Sequence, residues 1–196
     1  MEITTNQIKD LRDKTGVSVM QCKRALEEAE GNMDKALLIL QKNSKSSALK
    51  KTDRTLGSGV VQSYVHSTNS VGALVELFCE TDFVAKNEEF KVLAYEIAMH
   101  VAATNPQYLS MEDIPTQARA TALDLFQKEV EGKPEDLKEK ILEGKLNAYF
   151  AERTLLDQPF IKNPDLTIRN LVEGAVQKFG EKTQVGRFAR FSVLEK

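Results

Sequence analysis

The sequence predicts an α+β protein, with an N-terminal three-helix bundle followed by a core in which a three-stranded antiparallel sheet packs with helices. Three observations predict it. Residues 4–41 carry three short apolar stripes at helical spacing, each bounded by capping residues. Residues 55–80 and 185–193 are instead β-branched and aromatic, with the loose alternation of strands. The long stretch between those two regions returns to helical periodicity, so the last strand joins the first two in one sheet that closes the core end to end. The expected division is residues 1–54 for the helical module with its linker and residues 55–196 for the core.

In the module, Thr4 with Gln7 and Ser18 with Gln21 have the spacing of capping boxes. Gly16 and Gly31 stand where helices end, since a C-terminal cap often needs positive φ, and Asn32 can cap the third helix. Ile8 and Leu11, then Cys22, Ala25, Leu26 and Ala29, then Met33, Ala36, Leu37 and Leu40 form one stripe per helix. Val19 and Met20 stand off the main stripe; they either complete a small core or face outward. Residues 42–54 are rich in Lys and Ser and read as a helix tail running into a flexible linker. Their cluster of Lys42, Lys45, Lys50, Lys51 and Arg54 could attract phosphate, but in a slightly acidic whole it reads instead as a solvated connector.

In the core, residues 55–80 read as a hairpin, with turn chemistry at Thr68, Asn69 and Ser70 and one strand face made of Val71, Ala73, Val75 and Leu77. Helices follow from Asn87, from about Thr116, from about Pro134 and from about Thr167. Asn87 followed by Glu88 and Glu89 suits a helix start, because an amide caps free donors and acids favour the positive dipole end. Pro134 followed by Glu135 and Asp136 suits another, with proline in the first helical position. Ile168, Leu171, Val172, Ala175, Val176 and Phe179 form the stripe of the last helix, which stops at Gly180.

Composition narrows the function. A net charge of −2 over 196 residues lacks the basic excess of a nucleic-acid binder. No apolar run approaches membrane-spanning length, and the first residues lack the basic and apolar pattern of a signal peptide, so a cytoplasmic location is expected. Cys22 and Cys79 read as two buried thiols, and two Cys and two His at these spacings form no metal-ligand pattern. There is no GxxxxGK[ST] phosphate loop and no nucleophile elbow, and neither His66 nor His100 has a sequence-local catalytic partner. Neither an enzyme nor a cofactor is expected.

The stretch that carries the most information lies between the second strand and the helix from Asn87. Residues 81–86 make a tight connector that sets an acid, Asp82, beside a large aromatic, Phe83, at the rim of the sheet. Asp82 as a local cap and Phe83 as a core residue is one reading. The other makes the pair a probe that enters a partner, since connectors between rigid elements are where binding residues gather.

The run Cys79-Glu80-Thr81-Asp82-Phe83-Val84-Ala85-Lys86-Asn87 resembles a signature of the bacterial translation elongation factor Ts family. Thr15-Gly16 through Met20-Gln21-Cys22-Lys23-Arg24-Ala25-Leu26, continuing to Gly31-Asn32, resembles that family's other signature. Ala98-Met99-His100-Val101-Ala102-Ala103, Gln158-Pro159-Phe160-Ile161-Lys162 and Arg187-Phe188-Ala189-Arg190-Phe191 also match, so the resemblance spans nearly the whole chain.

The resemblance implies a ubiquitin-associated-like fold for the N-terminal module and guanine-nucleotide exchange on elongation factor Tu as the function. It implies that Thr81, Asp82, Phe83 and Val84 intrude near that partner's magnesium site, and that Arg12, Val19 and Met20 contact its nucleotide-binding domain. The family often has Met where this chain has Val19, so one apolar contact is smaller here. His100 lies in a matching core motif and is a candidate for touching the partner's outer domain. Longer relatives carry two core halves; this chain reads as the short, single-core class, which implies a homodimer and a two-to-two complex. Two other classes remain: a ubiquitin-associated-like adaptor using only the first bundle, and a ribosome or RNA binder using the cluster in residues 42–54.

Overall fold

The structure, a computed structural model, describes residues 3–130 and 134–195; Met1, Glu2 and Lys196, at the ends of the two expected domains, lie outside the described residues. In chain order the helices and strands are α1 (Thr5–Thr15), α2 (Val19–Glu28), α3 (Met33–Leu49), β1 (Ser58–Val65), β2 (Val71–Cys79), α4 (Asp82–Ala85), α5 (Glu88–Thr104), α6 (Thr116–Gln127), α7 (Glu135–Ala151), β3 (Pro159–Phe160), β4 (Asn163–Thr167), α8 (Ile168–Phe179) and β5 (Gln184–Ser192).

Local chemistry sets the module's helices. Thr4 and Gln7 close a reciprocal capping box on α1, and Ser18 and Gln21 do the same on α2. Gly16 ends α1 at φ 67°, and Asn32 accepts from the backbone N–H of Lys35 to start α3. The three helices bury Leu11, Val17, Cys22, Ala25, Leu26, Ala29, Ala36 and Leu40 together.

The expected helix tail continues to Leu49, through more than half of the segment 42–54. The reason is tertiary: the far half of α3 packs on α8, where Ser44 is buried and donates a hydrogen bond to the side chain of Gln177. Lys178 on α8 pairs with Glu89 at 3.0 Å, at the start of α5, and its ammonium approaches Gly16 at the end of α1.

The three-stranded sheet has the order β1-β2-β5 with both pairings antiparallel. Its central strand turns Ala73, Val75, Leu77 and Cys79 inward, against Phe90, Ala94, Ile97, Ala98 and Val101 of α5. The register sets Val61 opposite Glu76, Ser63 opposite Leu74, and Gly72 opposite Phe191, so these residues share the outer face. Among the described residues no helix covers that face at Val61, Leu74 and Phe191, which are all exposed. A bulge between Val75 and Leu77 on the β2–β5 ladder brings Arg187 onto Glu76 at 2.6 Å.

Three local features depart from expectation. A small hairpin, β3–β4, adds a second sheet of two strands, too short and too proline-rich for strand periodicity to register. Pro134 is the N-cap of α7, with φ −55° and ψ 142°, rather than its first helical residue. The helices α6 and α7 pack on each other around Ile114, Ala122 and Phe150, with Phe126 and Tyr149 edge to face, forming a cluster separate from the main core.

Candidate functional site

The connector is a single helical turn. Thr81, with φ −125° and ψ 157°, is its N-cap, and Asp82 is its first residue. The cap reading therefore belongs to Thr81 and not to Asp82. The phase of this one turn separates its neighbours: Val84 and Ala85 point into the core, whereas Phe83 is 81% exposed. The reading of Phe83 as a core residue is overturned. Asp82 pairs with Lys86 one turn on, and that ammonium holds its carboxyl below the usual carboxylate range, so Asp82 is ionised at neutral pH.

The base of the turn is held from a distant part of the chain. Glu181, in the short connection between α8 and β5, accepts the backbone N–H groups of Glu80 at 3.1 Å and Thr81 at 3.0 Å through one carboxylate oxygen. Its other oxygen accepts the Thr81 hydroxyl at 2.6 Å. Glu80 answers by accepting the backbone N–H of Lys182, which together with Arg54 at 3.2 Å keeps the Glu80 carboxyl below its ordinary range. The ammonium of Lys182 donates to the carbonyls of Thr52 and Arg54, at 2.6 and 3.1 Å. Beneath the turn, the Cys79 thiol donates to the Thr81 carbonyl at 3.2 Å, and burial pushes its pKa up. Sequence reasoning missed Glu181 and Glu80, because no local pattern announces a carboxylate whose partners lie so far away along the chain.

The N-terminal signature presents a second exposed patch. Arg12 is exposed on α1, and Val19 and Met20, in the first turn of α2, are 48% and 59% exposed. They do not complete the bundle core, which Leu11, Val17, Cys22 and Leu26 fill. The capping box explains the placement: Ser18 as N-cap leaves the next two residues on the outer side of the turn and turns Cys22 inward.

His100 is fully buried on α5. Its Nε2 lies 2.9 Å from Oε1 of Gln158, while its Nδ1 accepts the backbone N–H of Ile161 at 3.4 Å. Gln158 in turn donates to the Glu152 carbonyl at 2.6 Å. His100 thus staples the β3–β4 hairpin to α5. Its side chain has no surface to offer in this structure, and neither has that of Val84. Burial lowers the His100 pKa from its ordinary 6.5, and the neutral ring suits both hydrogen bonds, since a proton on Nδ1 would face the Ile161 donor. A base with a depressed folded pKa contributes full stability above its unfolded pKa. That stability falls as pH drops below it, because the unfolded chain takes up the proton first. The melting temperature is therefore expected to drop as pH is lowered from about 7.5 to 5.5, a window placed around the ordinary histidine pKa. In His100→Gln the drop should be shallower. Equal pH slopes in thermal melts of the two proteins would show that this ring does not set the dependence.

Comparison with known proteins fits this arrangement. The model of a family described as "Elongation factor TS" matches residues 6–195. The chain is 47% identical over 194 residues to elongation factor Ts of Thermodesulfovibrio yellowstonii, covering 98% of this chain and 97% of that one. It is 45% identical over 195 residues to elongation factor Ts of Carboxydothermus hydrogenoformans, covering 98% and 90%. With elongation factor Ts of Thermosipho melanesiensis it shares 43% identity over 195 residues, covering 98% and 100%. Both signatures fall within the matched span, one on the exposed patch of α1 and α2 and the other on the turn that carries Phe83. The chain belongs to the elongation factor Ts family of translation elongation factors.

Proposed function

We propose that this chain is a guanine-nucleotide exchange factor for elongation factor Tu: it binds the GDP-bound GTPase, disturbs its magnesium and phosphate site, and promotes GDP release. The observation that carries the reading is Phe83. A large aromatic side chain 81% exposed on a turn whose base is fixed by hydrogen bonds is an unfavourable thing to leave in water. It makes sense as a group whose burial occurs in a partner.

The mechanism needs no covalent chemistry. Magnesium bridges phosphate oxygens and neutralises their charge, so an apolar wedge that displaces the groups holding the ion weakens GDP binding. Thr81 supplies the cap that sets the phase of the turn, Val84 anchors it in the core, and Asp82 brings a negative charge to its exposed side. Exchange is then a coupling free energy. The factor binds nucleotide-free partner more tightly than nucleotide-bound partner, and by reciprocity GDP weakens the factor.

Residues 1–54 act in this reading as the docking module, with Arg12, Val19 and Met20 on the partner's nucleotide-binding domain. Those contacts form whether or not GDP is present. Val19→Ala together with Met20→Ala should raise the factor concentration for half-maximal exchange about tenfold, the scale of removing two modest interface contacts. The saturated rate should change little, as it does when uniform binding is lost. The location of the exchange cycle is the cytoplasm, and neither membrane nor nucleic acid takes part.

The assembly is a homodimer that binds two copies of the GTPase. The open face of the sheet, with Val61, Leu74 and Phe191 exposed one on each of its three strands, supports this, because exposed apolar surface of that kind is costly on a monomer. The direct test is release of a fluorescent GDP analogue from elongation factor Tu with and without the chain. Release at the same rate in both would reject the exchange reading and leave an adaptor or RNA-binding role.

A further inference from the structure

We propose that Glu181 is a positioning residue for exchange: its carboxylate fixes the turn that presents Phe83. The inference rests on the exchange reading of Phe83 given above. Its own ground is geometric. One side chain accepts from two consecutive backbone N–H groups and from the hydroxyl of the residue that caps the turn, at 3.1, 3.0 and 2.6 Å. These are charge-assisted hydrogen bonds, the stronger kind. They fall on Glu80 and Thr81, the two residues that link β2 to α4, and so set the direction in which the chain leaves the sheet.

The alternative partners of these donors are few. The Thr81 hydroxyl accepts from the Val84 backbone at a long 3.5 Å, so the cap alone holds the turn weakly. The backbone N–H groups of Glu80 and Thr81 both donate to Glu181 and lose that acceptor without it. A four-residue helix has too few internal bonds to persist unaided. Val84 and Ala85 keep the far side of the turn seated on the core, so removing the carboxylate loosens its N-terminal end and lets Phe83 sample orientations in which it is misdirected. The state with Phe83 seated in the partner then bears an added ordering cost, which reduces the competent fraction. That cost is absent from the contacts of Arg12, Val19 and Met20, so it appears in the saturated rate and not in the half-saturating concentration.

Reach and charge can be separated. Glu181→Ala removes all three acceptors. Glu181→Asp keeps the charge but draws the acceptors back by one methylene. Glu181→Gln loses the charge but keeps an acceptor oxygen in place, and its amide can donate to the Thr81 hydroxyl. Positioning by hydrogen bonds orders the saturated rates as wild type, then Gln, then Asp and Ala. The Ala variant should be lower by roughly 10- to 150-fold, the scale of losing one net hydrogen bond to a charged group.

The experiment is stopped-flow release of a fluorescent GDP analogue from elongation factor Tu over a range of factor concentrations. It is run for these three variants, for Phe83→Ala and for the double variant Phe83→Ala/Glu181→Ala. Amide hydrogen exchange at Glu80 and Thr81 in the free protein gives a readout independent of activity, and these amides should lose protection in Glu181→Ala while the strand amides of β2 keep theirs. If positioning holds, the double variant is no slower than Phe83→Ala alone, because a misdirected turn matters only through the side chain it carries. An undiminished rate for Glu181→Ala beside a diminished one for Phe83→Ala overturns the positioning role and leaves the exchange reading intact. An equal further loss in the Phe83→Ala background, or loss of protection throughout β2, also overturns it and makes Glu181 a general structural residue. If Phe83→Ala itself exchanges at the wild-type rate, the exchange reading of the turn has failed, and the positioning role with it.

Discussion

Phe83→Ala is expected to lower the saturated rate of GDP release while leaving the protein folded and bound to its partner. The side chain is exposed in the free chain, so its removal takes nothing from the core. In the proposed cycle it is fully seated only as magnesium leaves, so it stabilises the open state of the partner more than the closed one. If that difference amounts to about 1–3 kcal/mol, the scale for burying a large apolar side chain, the rate falls by roughly 5- to 150-fold. The half-saturating concentration should change far less, in contrast to Val19→Ala with Met20→Ala. Asp82→Ala should act in the same sense and more weakly, since part of that carboxylate's interaction is already taken by Lys86. Stopped-flow release at several factor concentrations, with circular dichroism of each variant, decides the matter. A folded Phe83→Ala protein with an unchanged saturated rate would remove the central claim.

The second large effect concerns assembly. Phe191→Asp is expected to turn the proposed dimer into a monomer. Phe191 is 70% exposed on β5, facing away from the core, so a charged replacement is tolerated by the isolated fold. In a two-fold interface each residue is buried twice, so one substitution counts twice. Losing the burial of a phenyl ring in both copies, at about 1.5–3 kcal/mol each, weakens association by about two to four orders of magnitude. The buried charge adds to this. Sedimentation equilibrium at tens of micromolar protein, a range chosen for ordinary oligomer affinities, should show a dimer for the wild type and a monomer for the variant. A monomeric wild type at that concentration would rule out the two-to-two assembly.

Much of the fold was legible because its determinants are local. The pairs Thr4–Gln7 and Ser18–Gln21 are four-residue patterns, and each forms the reciprocal cap that its spacing implies. Gly180 ends α8 at φ 74°, where the apolar stripe stops. The strand face through Ala73, Val75 and Leu77 is buried as its alternation requires. What was not legible depends on partners far away in the chain or on a phase set by a single residue. A phenylalanine between Asp82 and Val84 looks the same in sequence whether it points in or out. Thr81 as N-cap, held by Glu181, decides that it points out. The length of α3 was hidden for a related reason: beyond Gln41 its residues are largely polar, and only the contact with α8 shows why the helix continues. His100 reads in the sequence as a structural histidine or a candidate partner contact, and only Gln158 and the short hairpin closing over it show that it is buried.

The packing of α3 on α8 has a consequence for how the two exposed patches work together. The helix that carries the N-terminal bundle lies against α8, and α8 leads through Gly180 directly to Glu181 and the turn bearing Phe83. The two patches are thus carried on one packed frame rather than strung like beads. In the proposed reading, once one patch has bound a partner the other arrives at an effective concentration fixed by that frame, with less chain entropy to lose than across a free linker. The same stiffness makes the frame a gauge. In the proposed exchange reading, a GTPase whose two complementary surfaces stand at another spacing can engage either patch but not both, so a distance as well as the residues at either end sets selectivity among related GTPases.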